Sequence, residues 1–301
     1  MPESGKLRVA VAQIDCRLGD LEENAARHLR IIDFARRERV EVLLFPELSL
    51  TGYAVGPRTV EISMRRDSQI LSELAGASTG MVTLLGFIEE GVAAQFHNSA
   101  VALKDGEVLF LHRKLNLATY GNLEEGKHFA AGRYLETFAL DSRWRAGVLI
   151  CADSWNPALT HLAMVHGTTL LMVPIASARD AVDATFSNPQ GWDLSMRFYA
   201  MIYGVPILMA NYATSQPADT IEDQPAGLDF WGGSRIVDPF GQTLAEAGEG
   251  EDLLVADLDY EAVKRARYRL PTLRDSNLDL IRRELDRLSA QVGVPPESRP
   301  L

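Results

Sequence analysis

The chain has 301 residues, 47% of them hydrophobic and 24% charged, with 23 Gly and 14 Pro. This composition excludes collagen-like and disordered chains, and the length allows about three quarters of the extended surface to be buried without a metal or disulfide staple. The balance of 30 Lys+Arg against 41 Asp+Glu, a net charge of -11, argues against a nucleic-acid partner and an anionic membrane surface, both of which need a basic face.

In chain order, strand-like and helix-like segments alternate. Residues 7–13 (LRVAVAQ) read as a buried strand. Asp20 stands three residues before Glu23, a capping pattern, and the segment to Arg39 carries Leu21, Ala25, Leu29, Ile32 and Ala35 at helical spacing. Residues 40–46 form a second buried strand, stopped by Pro46. A helix is expected over 60–75 and a strand over 81–88. Residues 97–104 and 107–114 flank Asp105-Gly106, a pair that favours the left-handed turn of a hairpin. Residues 115–133 read as a polar, Gly-containing loop.

Further strands are expected at 144–150, 169–174, 205–211, 235–237 and 253–258, and helices at 159–166 and 192–203. The segment 275–288 is amphipathic and charged, a helix for a surface or a partner subunit. No linker or break in composition divides the chain, so residues 1–301 are read as one domain, with a C-terminal extension over about 260–301 involved in packing or dimer contacts. Interleaved buried strands and helices imply an α/β fold with sheets covered by helices, and the hairpin makes those sheets mixed.

The cysteines, Cys16 and Cys151, are too few for a secreted disulfide framework. The start of the chain lacks a charged-then-apolar leader, and the most apolar stretches, 168–178 and 201–213, fall short of the roughly 18 residues of a membrane span. A cytoplasmic protein with both thiols reduced is expected.

Three reactive side chains follow strands that read as buried, where α/β folds form their sites. Glu47, in LLFPELSLTGY, lies after an apolar strand that would raise its pKa toward a general base. Lys114, in FLHRKLNL, could hold developing negative charge. Cys151, in RAGVLICADSW, sits on a strand-to-helix turn near backbone N–H groups suited to an oxyanion. Taken singly, each has an ordinary reading: a solvated loop acid, an edge-strand charge, an inert buried thiol.

Together, in this order, they resemble the nitrilase or carbon–nitrogen hydrolase superfamily from Val9 to about Asp259. The segments VAVAQ, EEGKHFAAG, GTTLLMVPIAS, GVPILMANYA and GGSRIVDPFGQTLAEA extend the likeness. The resemblance implies a four-layer α-β-β-α sandwich paired into a homodimer or higher oligomer. It implies Cys151 as nucleophile, Glu47 as general base and acid, and Lys114 with the backbone N–H of Ala152 as oxyanion donors. It also implies a second glutamate before Phe129 and Gly132, read as Glu125 with Glu124 as the other register, orienting Lys114 and the substrate nitrogen.

Asn116, Ala118 and Ala158 depart from residues common in the family, which bears on the substrate and not on the triad. Tyr53, Tyr120, Trp155, Ile175 and Asn211 are candidate pocket residues. No HExxH, P-loop or dinucleotide fingerprint occurs, and no cofactor or metal is expected. The expected activity is hydrolysis of a small linear amide or N-carbamoyl compound. The alternatives are a nitrile hydrolase with the same triad, an ammonia-supplying glutaminase subunit of a synthetase, and a non-catalytic scaffold, which the intact set of Glu47, Lys114, Glu125 and Cys151 argues against.

Overall fold

The computed structural model describes residues 5–179, 181–183, 185–213 and 228–290. Two six-stranded mixed sheets pack face to face with helices outside them, an α-β-β-α sandwich.

The first sheet has the order β12-β1-β2-β3-β4-β5. It comprises β1 (Lys6–Gln13), β2 (Val42–Leu44), β3 (Val82–Glu90), β4 (Phe96–Lys104), β5 (Glu107–Arg113) and β12 (Asp252–Asp259). The second, ordered β11-β10-β9-β8-β7-β6, comprises β6 (Thr137–Ala139), β7 (Arg145–Val148), β8 (Leu170–Pro174), β9 (Ile207–Ala210), β10 (Arg235–Val237) and β11 (Thr243–Glu246). In each sheet three central strands run parallel, β1-β2-β3 and β7-β8-β9, and the outer pairings are antiparallel.

The helices are α1 (Leu21–Arg37), α2 (Thr59–Ile62), α3 (Gln69–Ala77), α4 (Glu125–His128), α5 (Pro157–Val165), α6 (Asn188–Tyr203), α7 (Tyr260–Arg269) and α8 (Leu278–Ser289). Alternation along the strands explains the layering. Val9, Val11, Val42, Leu44, Val82 and Leu84 join residues of the second sheet in the central core. Ala10, Ala12, Leu43, Phe45 and Leu85 turn outward onto Ile32 and Ala35 of α1 and Leu71 and Leu74 of α3. Both faces are covered, so both phases of the strand are apolar. On the far side, Ala163 and Met164 of α5 and Trp192 and Met196 of α6 cover the second sheet.

Several expectations change. The helix expected over 60–75 is two, because Ser63 turns extended, Met64 bridges to Glu89 and Ser68 caps α3 through Leu71 N–H. The face that α1 buries is Asn24, His28, Ile32 and Ala35, rotated from the apolar stripe because Asn24 hydrogen-bonds the backbone of Arg17 and Leu50 and His28 the hydroxyl of Ser49. The 115–133 loop contains α4, and β6, β11 and α7 fall where no element is expected. α7 packs Val263 and Ala266 inward and donates from Arg267 to Tyr203 O. Within the extension α7 thus packs on the body, whereas α8 buries no residue. Residues 291–301 of the expected extension lie outside the described residues.

No helix among the described residues is long and apolar enough to cross a membrane.

Candidate active site

The ends of β2, β5, β7 and β8 gather at one edge between the two sheets, and the side chains that follow them meet there. After β2, Pro46 leads into a tight loop in which Leu48 has a φ of 49°. The loop is fastened to β3 by Leu50 N–H on Gly86 O (2.9 Å). It is fastened to the second sheet by Tyr212 OH on Glu47 O (2.8 Å). This aims Glu47 inward. Its Oε1 accepts from Lys114 Nζ (2.6 Å) and Asn98 Nδ2 (2.8 Å), and its Oε2 from Ala176 N–H (2.8 Å).

Lys114 follows β5. The Asp105-Gly106 turn, with φ of 52° and 85°, delivers that strand antiparallel to β4. Its backbone donates to Asn98 O and accepts from Gly132 N–H, both at 2.8 Å. The ammonium therefore reaches Glu47 and Glu125 Oε1 (2.7 Å) together. Glu125 opens α4, accepts from Tyr53 OH (2.7 Å) and Ala118 N–H (2.9 Å), and is buried. Glu124 points outward and pairs with Lys127.

Cys151 opens a single turn of 3-10 helix, Cys151–Asp153, directly after β7, with a φ of 45°. A non-glycine residue there stores backbone strain of order 1–3 kcal/mol and projects its side chain sharply off the strand. Cys151 keeps 9% of its surface accessible, against 1% for Glu47 and 0% for Lys114. The cysteine is the least enclosed of the three, and the two charged partners stay dry.

Burial sets the proton positions. It pushes the Glu47 carboxyl above its ordinary value, against the pull of Lys114. Burial alone would lower Lys114, but the carboxylates of Glu125 and Glu47 outweigh it and hold the ammonium well above its ordinary value. Burial, then the Glu47 charge, raises Cys151 well above a free thiol. The resting site therefore holds a charged lysine, a protonated thiol and a carboxylate with raised proton affinity.

Of the expected pocket residues, Tyr53 bonds Glu125, and Tyr120 is half exposed near the cluster. Trp155 packs beside the turn, tilted against Trp192 (ring centroids 4.5 Å) and edge-on to Phe186 (5.9 Å). Ile175 is fully buried and contributes its carbonyl to Glu47 N–H (3.4 Å). Asn211 follows β9 and is fully buried. Its amide ties Ser177 N–H, Ser177 O and Gly232 O, so it is a brace between backbone segments. Ala152 is buried within the turn.

Sequence reasoning missed Asn98, His112 and Asp153. The signal for Asn98 was present: three polar residues, His97-Asn98-Ser99, open an otherwise apolar strand. Among the described residues no group of three or more His, Cys, Asp or Glu is placed to hold a metal ion.

A family model described as Carbon-nitrogen hydrolase matches residues 8–268. The chain is 30% identical over 263 residues to the glutamine-dependent NAD(+) synthetase of Thermotoga maritima, covering 85% of this chain but 42% of that protein. It is 26% identical over 289 residues to the N-carbamoylputrescine amidase of Solanum tuberosum, covering 93% of this chain and 95% of the relative. In fold it is similar to a carbon–nitrogen hydrolase from Helicobacter pylori G27, at TM-score 0.79 and 22% identity, covering 93% and 98% of the two chains.

Proposed function

The chain belongs to the carbon–nitrogen hydrolase family, and from that premise we propose that it cleaves a small linear amide or N-carbamoyl compound through a thioester on Cys151. It is an amidase-type hydrolase of non-peptide carbon–nitrogen bonds. Glu47 takes the thiol proton as sulfur attacks the carbonyl carbon. Lys114 and the Ala152 N–H hold the resulting oxyanion, a contribution of about 3–4 kcal/mol where comparable donors are removed. Protonated Glu47 passes its proton to the leaving nitrogen, which departs as ammonia or an amine. Water deprotonated by Glu47 then opens the thioester to the acid. One carboxylate serves both directions, so a proton affinity above the usual carboxylate range suits it. Glu125, fixed by Tyr53 and Ala118, orients Lys114.

The observation that carries this reading is the dry Glu47–Lys114–Glu125 cluster, joined at 2.6 and 2.7 Å beside a cysteine held at positive φ. The test is ammonia release from a panel of ω-amides, glutamine, N-carbamoyl amines and nitriles, run with the protein and with Cys151→Ala. An accepted substrate should leave a hydroxylamine-sensitive acyl adduct on Cys151 by intact mass. Turnover by the alanine variant sinks the assignment. A second reading, the glutaminase part of an ammonia-fed synthetase, is favoured by the identity to the NAD(+) synthetase, of which this chain spans less than half. Turnover confined to glutamine would select it.

Residues 1–301 are taken as one hydrolase domain working in the cytoplasm, where Cys151 stays reduced. The domain pairs with a second copy, supported by apolar residues exposed on α5 (Leu162, Val165) and α6 (Leu194, Phe198, Met201), with α8 adding to the contacts.

A further inference from the structure

Glu47 and Lys114 hang from the first sheet, and Cys151 from the second. Attack on a carbonyl needs the sulfur and the oxyanion donor aligned to a fraction of an ångström, so the offset between the sheets at this edge matters to the chemistry. One buried carboxylate spans that offset. Asp153 Oδ1 accepts from Leu115 N–H (2.9 Å) and Asn116 N–H (2.7 Å), the two residues after Lys114. Its Oδ2 accepts from Ile150 N–H (3.0 Å), the residue before Cys151. The same oxygen lies 3.1 Å from Nε2 of His112, two residues before Lys114. A carboxylate accepts only, so the imidazole carries its proton on Nε2. Asp153 is 0% exposed and His112 2%.

Backbone bonds close the 3-10 turn, Asp153 N–H on Ile150 O (3.0 Å) and Ser154 N–H on Cys151 O (2.9 Å), and of the side-chain contacts only that to Ile150 lies within it. The other three come from β5 of the opposite sheet (His112) and the residues just after it (Leu115 and Asn116), and bracket the lysine on both sides. We propose that Asp153, held by His112, is a positioning residue for amide cleavage, fixing Lys114 against Cys151 across the two sheets. The proposal rests on the reading of Cys151 as nucleophile and Lys114 as oxyanion donor.

Two reactions of the thiol separate this role from a structural one. Acylation by p-nitrophenyl acetate forms a thioester, expels p-nitrophenolate and passes the thiol proton to Glu47; its tetrahedral intermediate needs Lys114 aligned with sulfur. Alkylation by iodoacetamide displaces iodide at a saturated carbon and forms no oxyanion. In Asp153→Asn one oxygen becomes a donor facing donors, so contacts on one side are lost. The p-nitrophenolate burst rate should fall about 10- to 100-fold, while alkylation of Cys151, followed by intact mass, changes by less than about threefold, the range of a small packing effect.

His112→Leu should lower the burst in the same direction. His112→Gln, which presents an N–H donor again, should restore it at a matched melting temperature. This pair decides the matter if Asp153→Asn does not fold. Burst and alkylation falling together, an unchanged burst in Asp153→Asn, or equal losses in the two His112 variants each overturn the proposal. A wild-type protein with neither burst nor adduct overturns the nucleophile reading itself, and this role with it. An intact wild-type burst with unaffected variants removes only the positioning role.

Discussion

Ionising Cys151 is costly in this site, since burial and the Glu47 charge both raise its pKa. The thiol gives up its proton only as it attacks, and only to a carboxylate that is itself ionised. Burial raises the proton affinity of Glu47, so the acid limb of reactivity should lie above 4.5, the ordinary value for its carboxyl. The sign follows directly: below the raised value Glu47 is protonated and cannot act as base, and reactivity grows as pH rises through it. The iodoacetamide rate at Cys151 as a function of pH measures this, and Glu47→Gln should abolish the limb. A limb at the ordinary value would mean that Lys114 outweighs burial. The two glutamates are told apart at the same scale. Glu125→Gln should reduce ammonia release by about 100-fold, the scale of losing an electrostatic partner in a dry site. Glu124→Gln, on the exposed side, should change it by less than about twofold.

Elements place these residues through close backbone approaches that no side-chain pattern reveals. Gly86, mid-strand in β3, gives its carbonyl to Leu50 N–H and lies against the Glu47 loop. A Cβ there would be driven into the backbone nitrogen of Leu48. Gly86→Ala should therefore cost about 1–3 kcal/mol by overpacking and move Glu47 off Lys114. Thermal melting and ammonia release should fall together, and an unperturbed rate would show that the loop is free to yield. The same distinction explains what was legible in the sequence. Alternation and capping mark β1, α1 and the β4–β5 hairpin, because burial and turn chemistry are local. Short edge strands such as β6 and β11 have only three and four residues, too few for a period. Glu47, Lys114 and Cys151 could be named from motifs at strand ends. Asp153 could not, because three of its four partners lie at the end of β5 or just after it, distant in sequence. Asn211 is a candidate pocket residue from its place at a strand end, and the bonds of its amide to Ser177 and Gly232 are visible only in the fold.

At the scale of the molecule, the outer face of the α5–α6 layer carries several exposed apolar residues. Both helices bury one face against the second sheet and expose Leu162, Val165, Leu194, Phe198 and Met201 on the other, whereas α1 over the first sheet exposes Phe34. On α6 the exposed residues recur at i, i+4 and i+7, a stripe along one helical face that is continuous with the exposed residues of α5 only if both face the same neighbour. A stripe of this kind on an isolated chain marks a binding surface or an aggregation hazard. A two-fold pairing through the same face on two copies would cover both stripes at once. Since Ser154 O, next to the nucleophile turn, accepts from Tyr199 OH of α6 (3.2 Å), pairing would also stiffen the helix behind Cys151. Phe198→Asp places a charge in the middle of the stripe and leaves buried Tyr199 untouched. It should convert a dimer of the wild-type chain to monomer in sedimentation or light scattering, with kcat lowered more than KM is raised if the helix supports the turn. A wild-type protein that is monomeric at micromolar concentration would refute the pairing, and a monomeric variant with full turnover would confine the surface to assembly.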